Sequence, residues 1–246
     1  MTRRYLLLAL LLATLPGLAA PARAEPAACA VPDDLALSGL ALPAARAAVR
    51  HDHHLTILAA GSAPTAGAAA HGVAFTYPAR LQTRLEALLP GITVSVINAG
   101  AAGATTHHML RRLGADIGEA KANLLLWETG GLEAARGSDV DAFAAALRDG
   151  IDRARAAGAD VILLDLQYAP SIVRVVDAAP YRRALEGEAV SADVPMLRRY
   201  ELMQAWSEAG ALDFDVTTGQ ARVAVARRLY DCLAAALAPA IAAAVK

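Results

Sequence analysis

The sequence has no excess of charge of either sign and no histidine after residue 108. Its 23 Lys and Arg residues nearly balance 24 Asp and Glu residues, so it lacks the basic surface that nucleic-acid binding requires. All 6 histidines lie in the first 108 of the 246 residues. This distribution excludes any mechanism that takes a histidine base from the later part of the chain.

The N-terminus carries the pattern of a cleaved export signal. Arg3 and Arg4 precede an apolar segment over residues 5–15, and the small-residue motif of residues 22–24 follows. That segment is too short to span the roughly 30 Å of a bilayer core. We therefore predict a signal peptide over residues 1–24 and a secreted or periplasmic bacterial protein.

No later segment has the pattern of a membrane span. Residues 229–245 are apolar, but they are rich in alanine and Pro239 interrupts them. Proline in a helix interior removes a backbone hydrogen bond, and this composition favours a terminal helix packed on the protein. We predict no membrane span after cleavage of the signal.

The chain has only two cysteines, Cys29 and Cys232. In an oxidising compartment an even number favours a disulfide, and we predict a bridge between them. Two free thiols are the alternative that spacing leaves open. A lipid attachment site at Cys29 is a third reading, although Pro26 lies where such sites carry a leucine-like residue.

Short apolar runs alternate with helical patterns along the chain. This order predicts an α/β domain with a five-stranded parallel sheet and helices on both faces. The predicted strands are residues 55–60, 92–98, 124–128, 161–166 and 194–197. The predicted helices are residues 41–49, 78–89, 140–157, 181–190, 200–208 and 220–244, with a further helix starting at residue 106.

The first predicted strand runs into a loop of small residues from Gly61 to Gly67. The loop resembles block I of the SGNH/GDSL hydrolase superfamily, Gly-Asp-Ser-x-Thr, in which Gly61 and Thr65 match. Ser62 stands in place of the aspartate, and Ala63 stands in place of the nucleophilic serine. The resemblance implies that the loop is retained and the nucleophile is lost.

The second predicted strand runs into Asn98-Ala-Gly100-Ala-Ala-Gly103. This segment resembles block II of the superfamily, Asn-x-Gly-x-x-Gly. The resemblance implies that the backbone N–H of Gly103 belongs to an oxyanion hole, and glycine suits such a close approach because it has no Cβ. A plain strand-to-helix turn would also favour glycine here.

The third predicted strand exits into Gly130-Gly-Leu132-Glu133, which resembles block III, Gly-x-Asn-Asp/Glu. Leu132 replaces the asparagine that donates a side-chain hydrogen bond to the oxyanion, and leucine has no donor. Block V, Asp-x-x-His, supplies the base before the last helix. Its positions fall on Ala221 and Ala224 when the segment from Tyr230 is used as the anchor.

The resemblance covers nearly all of the chain after the signal. It implies an N-terminal arm over residues 25–54 and, over residues 55–246, a flavodoxin-like three-layer α/β/α sandwich. Three losses at the reactive positions predict a catalytically inactive protein that retains a cleft for a small acyl or glycan ligand or has a partner-binding role.

An active ester hydrolase that uses Ser62 with His107 or His108 is the alternative. We expect no cofactor and no metal, since the cluster of His51, His53 and His54 is more typical of a solvated loop.

Overall fold

The computed structural model describes residues 29–216 and 218–246 and shows a five-stranded parallel sheet in the order β2-β1-β3-β4-β5. The signal peptide predicted over residues 1–24 lies outside the described residues. The strands are β1 (His54–Gly61), β2 (Thr93–Gly100), β3 (Leu124–Glu128), β4 (Asp160–Leu164) and β5 (Met196–Leu197). The helices are α1 (Pro43–Asp52), α2 (Ala63–Ala66), α3 (Tyr77–Leu88), α4 (Thr106–Ala120), α5 (Gly131–Arg136), α6 (Val140–Ala156), α7 (Pro170–Val173), α8 (Ala179–Ser191), α9 (Arg199–Glu208) and α10 (Gly219–Val245).

Helices cover both faces of the sheet, and each face has its own apolar core. Successive residues of a strand point to opposite faces, so Leu124 and Leu126 pack with α1, α3, α9 and α10, whereas Leu125 and Trp127 pack with α4, α6 and α8. The strand order and the two helical layers confirm the predicted flavodoxin-like α/β/α sandwich.

Each predicted strand boundary lies within two residues of the observed one, and the last strand is half as long as predicted. Residues 194–197 were expected to be extended, but β5 begins only at Met196. The N–H of Val194 donates to the carbonyl of Ala189 at 2.8 Å and so closes the end of α8. The three one-turn or two-turn helices α2, α5 and α7 were not predicted, because each is too short to show a helical period.

Helix α10 carries the cysteine that links the N-terminal segment to the rest of the protein. Among the described residues it is the one helix long and apolar enough to span a membrane, and most of its apolar stretch is buried inside the protein. Leu233, Leu237 and Ile241 are fully buried in the core that α10 shares with α1 and α3. The disulfide between Cys29 and Cys232 is confirmed, and it joins the first described residue to this helix.

Candidate functional site

Three loops meet at the carboxyl edge of the central strands. Strand β1 lies between β2 and β3, with Gly61 paired to Gly100 and Ala60 paired to Trp127. All three strands are parallel, so the loops that resemble blocks I, II and III leave the sheet side by side. Ligands of open α/β sheets bind at this edge.

The block I loop folds tightly because Gly61 has no side chain. A Cβ on Gly61 would lie 2.1 Å from Thr65 Oγ1 and 2.6 Å from Glu128 Oε2. The buried Thr65 hydroxyl occupies this space and donates a hydrogen bond to Glu128 Oε2 at 3.0 Å. Gly61 and Thr65, both predicted as loop residues of the site, hold the shape of the loop.

The Asn98 side chain joins the block II loop to the block I loop through a hydrogen bond. Its side-chain N–H donates to the carbonyl of Thr65 at 2.8 Å, and its Oδ1 accepts from the N–H of Gly100 at 2.9 Å. A Cβ on Gly100 would lie 2.3 Å from the backbone nitrogen of Ala66, so only glycine permits this approach. Gly103 has a positive φ of 79° and nothing near its missing Cβ, and it lies in the wall of a cavity.

Ser62 is turned toward the end of β3. Its hydroxyl donates to Glu128 at 3.1 Å from Oε1 and 3.2 Å from Oε2, and its N–H donates to Oε2 at 2.8 Å. His107 and His108 are exposed at the start of α4, where the Thr105 side chain caps the helix. Within residues 29–216 and 218–246 no hydrogen bond joins Ser62 to either histidine, and His108 Nδ1 lies 3.1 Å from an Arg111 nitrogen.

A buried ion pair lies beneath the block I loop. Glu128 is 1% exposed and Arg199, the first residue of α9, is 0% exposed. Arg199 Nη2 lies 3.6 Å from Glu128 Oε1. Burial raises the pKa of the neighbouring Tyr77, and it raises the pKa of Tyr230 to about 12, so both phenols are neutral beside the pair.

Sequence reasoning gave no role to this pair. The available signal was Glu128, which directly follows the apolar residues of β3. A charged residue at such a buried position needs a partner. Nothing in the sequence pattern singles out the arginine, which lies in a later helix.

The block III loop is shaped by Gly130 and Glu133. Gly130 has a positive φ of 89°, and a Cβ there would lie 2.8 Å from Leu166 Cδ1. The buried Glu133 carboxylate accepts from the N–H of Thr106 at the start of α4. Between them the half-buried Leu132 faces the cavity that Gly103 also lines.

This cavity has a volume of about 210 Å³ and brings together the three sequence blocks. Ser62, Glu128, Arg199 and Gln167 form its polar part. The remaining wall is largely apolar. It includes Ala63, Leu132, Leu166, Ile172, Val176 and Ala178.

A second cavity of about 300 Å³ lies against the first. The two share Ala63, Pro64 and Gln167 as lining residues. Tyr168 and Phe214 line the second cavity, with ring centroids 6.5 Å apart in an edge-on contact. Ala63 therefore stands at the boundary between the two spaces.

The block V positions lie elsewhere. Ala221 and Ala224 are both inside α10, and the exposed Ala224 lines a separate groove with His71. The second cavity is lined by the loop before α10, through Phe214 and Val216, and by other residues of α10. The alignment was anchored on α10 alone, and a short helical match carries no information on which residues of the preceding loop face inward.

Asp165, which directly follows β4, has a structural role. Asp165 accepts from the N–H of Leu166 at 2.7 Å and from Arg182 Nε at 3.0 Å. Burial raises the pKa of the Asp165 carboxyl, and the Arg182 guanidinium opposes that shift. Gln167, two residues on, lines both cavities.

Comparison with protein families identifies relatives over almost the whole chain. The model of the Non-GDSL lipase-like family matches residues 28–246. No curated protein sequence matches the chain.

Solved structures with the same fold include several esterases and lipases. The crystal structure of TesA is 25% identical, with a TM-score of 0.57, and the match covers 74% of this chain and 99% of that one. A lipase/acylhydrolase from Enterococcus faecalis is 22% identical, with a TM-score of 0.62 and coverage of 78% and 97%. A mutant of Axe2, an acetyl-xylooligosaccharide esterase from a Geobacillus species, is 19% identical with a TM-score of 0.60 and coverage of 76% and 94%.

Proposed function

The chain belongs to the Non-GDSL lipase-like family, within the SGNH/GDSL hydrolase superfamily, and we propose that it is an exported, non-catalytic member that binds an acyl ligand. The ligand occupies the 210 Å³ cavity at the edge of the sheet, where the three block-like loops meet. The proposal rests on two residues that line this cavity. Ala63 occupies the position of the nucleophile, and Leu132 occupies the position of an oxyanion donor.

Acyl transfer needs a nucleophile, a base within hydrogen-bond reach and donors aimed at the developing oxyanion. Ala63 supplies no nucleophile and Leu132 supplies no donor. The one hydroxyl beside them, that of Ser62, donates to the Glu128 carboxylate. Among residues 29–216 and 218–246 no imidazole is hydrogen-bonded to this hydroxyl, which supports binding without hydrolysis.

The lining of the cavity favours an acyl ligand over a glycan. Sugar hydroxyls need several polar partners, whereas Leu132, Leu166, Ile172 and Val176 offer only apolar contact. An apolar cavity of about 150 Å³ is known to hold benzene. The larger space here accommodates a medium-length alkyl chain.

The disulfide supports the export part of the proposal. Disulfides persist mainly in oxidising compartments such as the periplasm and the cell exterior. Cys29 is joined to Cys232, and Cys29 lies just after the signal peptide predicted from the sequence.

Binding of octanoate to the mature protein tests the proposal, with Leu132→Trp as the variant that fills the cavity. We expect wild-type protein to bind octanoate by isothermal titration calorimetry. The indole should occupy the space of the chain and weaken binding by about tenfold or more, since roughly 1.4 kcal/mol of lost contact already gives that factor.

The matched control is Leu88→Trp, which adds the same ring to a 38%-exposed position on α3. Its affinity for octanoate should equal that of the wild type. Absence of any heat of binding to the wild-type protein, for octanoate and for octan-1-ol alike, would contradict the proposed function.

A further inference from the structure

Arg199 is a fully buried cation at the start of α9. Its side chain is 1% exposed, and Nε, Nη1 and Nη2 all lack a hydrogen-bond partner among residues 29–216 and 218–246. A guanidinium carries five N–H donors. Leaving a buried donor unmatched destabilises the folded state, and more so when the group is charged.

The nearest carboxylate does not fill this role. Glu128 Oε1 lies 3.6 Å from Arg199 Nη2, which is an ion-pair contact longer than a hydrogen bond. Both Glu128 oxygens instead accept from the block I loop, through the N–H and hydroxyl of Ser62 and the hydroxyl of Thr65. The Glu128 oxygens therefore have donors, whereas the Arg199 nitrogens have no acceptor in the part of the chain that the structure describes.

Another arginine of the same sheet edge shows the contrast. Arg182 donates to Asp165 and Glu201, and its guanidinium lies 4.0 Å from the centre of the Tyr200 ring. Among residues 29–216 and 218–246, Arg199 has an ion-pair contact with Glu128, and the neutral phenols of Tyr77 and Tyr230 lie beside it. Trp127 Nε1 and Glu201 Oε2 are also buried without a partner among the described residues, but each is a single atom, whereas all three nitrogens of the Arg199 guanidinium are unmatched.

Arg199 lines the 210 Å³ cavity with Glu128 and Ser62 at its polar part, while Leu132, Leu166 and Ile172 line the apolar part. We infer that the cavity recognises a medium-chain fatty carboxylate, whose head accepts hydrogen bonds from Arg199 and whose chain lies along the apolar wall. The inference rests on the proposed function and names its ligand class. A carboxylate fits because its two oxygens match the planar guanidinium fork.

The test compares three ligands with the same alkyl chain on the wild-type mature protein, by isothermal titration calorimetry at pH 7. Octanoate should bind about tenfold or more tightly than octan-1-ol, because hydrogen bonds to a charged group contribute roughly 1.5–3 kcal/mol. Octylammonium should not bind measurably, because it places a cation against Arg199. This comparison needs no variant to fold.

Variants then test whether the preference for octanoate over octan-1-ol depends on Arg199. Glu128→Gln with Arg199→Met removes both charges together, and the octanoate preference over octan-1-ol should fall below about threefold. Arg153→Met, at an exposed arginine on α6 paired with Asp149, should keep the wild-type preference.

The outcomes separate the two proposals. Octan-1-ol binding as tightly as octanoate to the wild-type protein would overturn the carboxylate inference and leave acyl binding in place. A preference that survives in the folded double variant would also overturn it. No binding of either ligand would overturn the proposed function itself.

Discussion

Replacing Glu128 with glutamine should lower the free energy of unfolding by about 3–5 kcal/mol, because breaking a buried ion pair leaves an uncompensated charge. The charge is Arg199, which is 0% exposed. The carboxamide also turns a donor toward the groups that now donate to Glu128, the N–H of Ser62 and the hydroxyls of Ser62 and Thr65. Urea unfolding followed by circular dichroism measures the change.

The double variant Glu128→Gln/Arg199→Met is the decisive comparison for this pair. Replacing both members of a buried pair with uncharged side chains is often close to neutral, so the double variant should recover most of the stability that Glu128→Gln loses. Asp149→Asn, beside the exposed Arg153, should leave the midpoint nearly unchanged, since exposed pairs contribute little. A Glu128→Gln protein with the wild-type unfolding midpoint would show that the buried ion pair does not stabilise the fold.

Removing the disulfide should also cost several kcal/mol. The Cys29–Cys232 bridge closes a loop with a sequence separation of 203 residues. In the chain-entropy model a loop of this length stabilises the folded state by up to about 5 kcal/mol. We expect the Cys29→Ser/Cys232→Ser variant to unfold at a lower urea concentration, with a free energy of unfolding reduced by about 2–5 kcal/mol.

Reduction of the wild-type protein provides the matched control. Dithiothreitol should move the wild-type midpoint toward that of the double cysteine variant and should not move the variant. Thiol titration of unreduced, denatured wild-type protein should find no free thiol. A double variant as stable as the wild type would show that the bridge adds nothing to the folded state.

The sheet and the three loops at its edge could be predicted because their signals are local. Apolar runs end at glycines, and Gly61, Gly100 and Gly130 stand where neighbouring backbone atoms or side chains leave no room for a Cβ. Such positions tolerate few residues, so their spacing in the sequence reflects the geometry directly. The bridge followed from the number of cysteines and from the export signal that the sequence predicts.

The ion pair and the second cavity could not be predicted, because they depend on contacts between distant segments. Glu128 ends β3 and Arg199 begins α9, and only the folded sheet brings them together. The loop before α10 has no periodic pattern, so the match at Ala221 and Ala224 gave no indication that Phe214 faces the second cavity. Local patterns specify elements, whereas the site also depends on how those elements pack.

Hydrolysis of a p-nitrophenyl ester panel by wild-type protein, Ser62→Ala and Ala63→Ser tests the central claim most directly. All three should remain at the background rate. Wild-type protein has alanine at the nucleophile position, and Ala63→Ser restores a hydroxyl without a base, since catalytic groups that act as a unit are strongly non-additive. Wild-type turnover clearly above background that Ser62→Ala abolishes would contradict the account and identify Ser62 as the nucleophile of an active esterase.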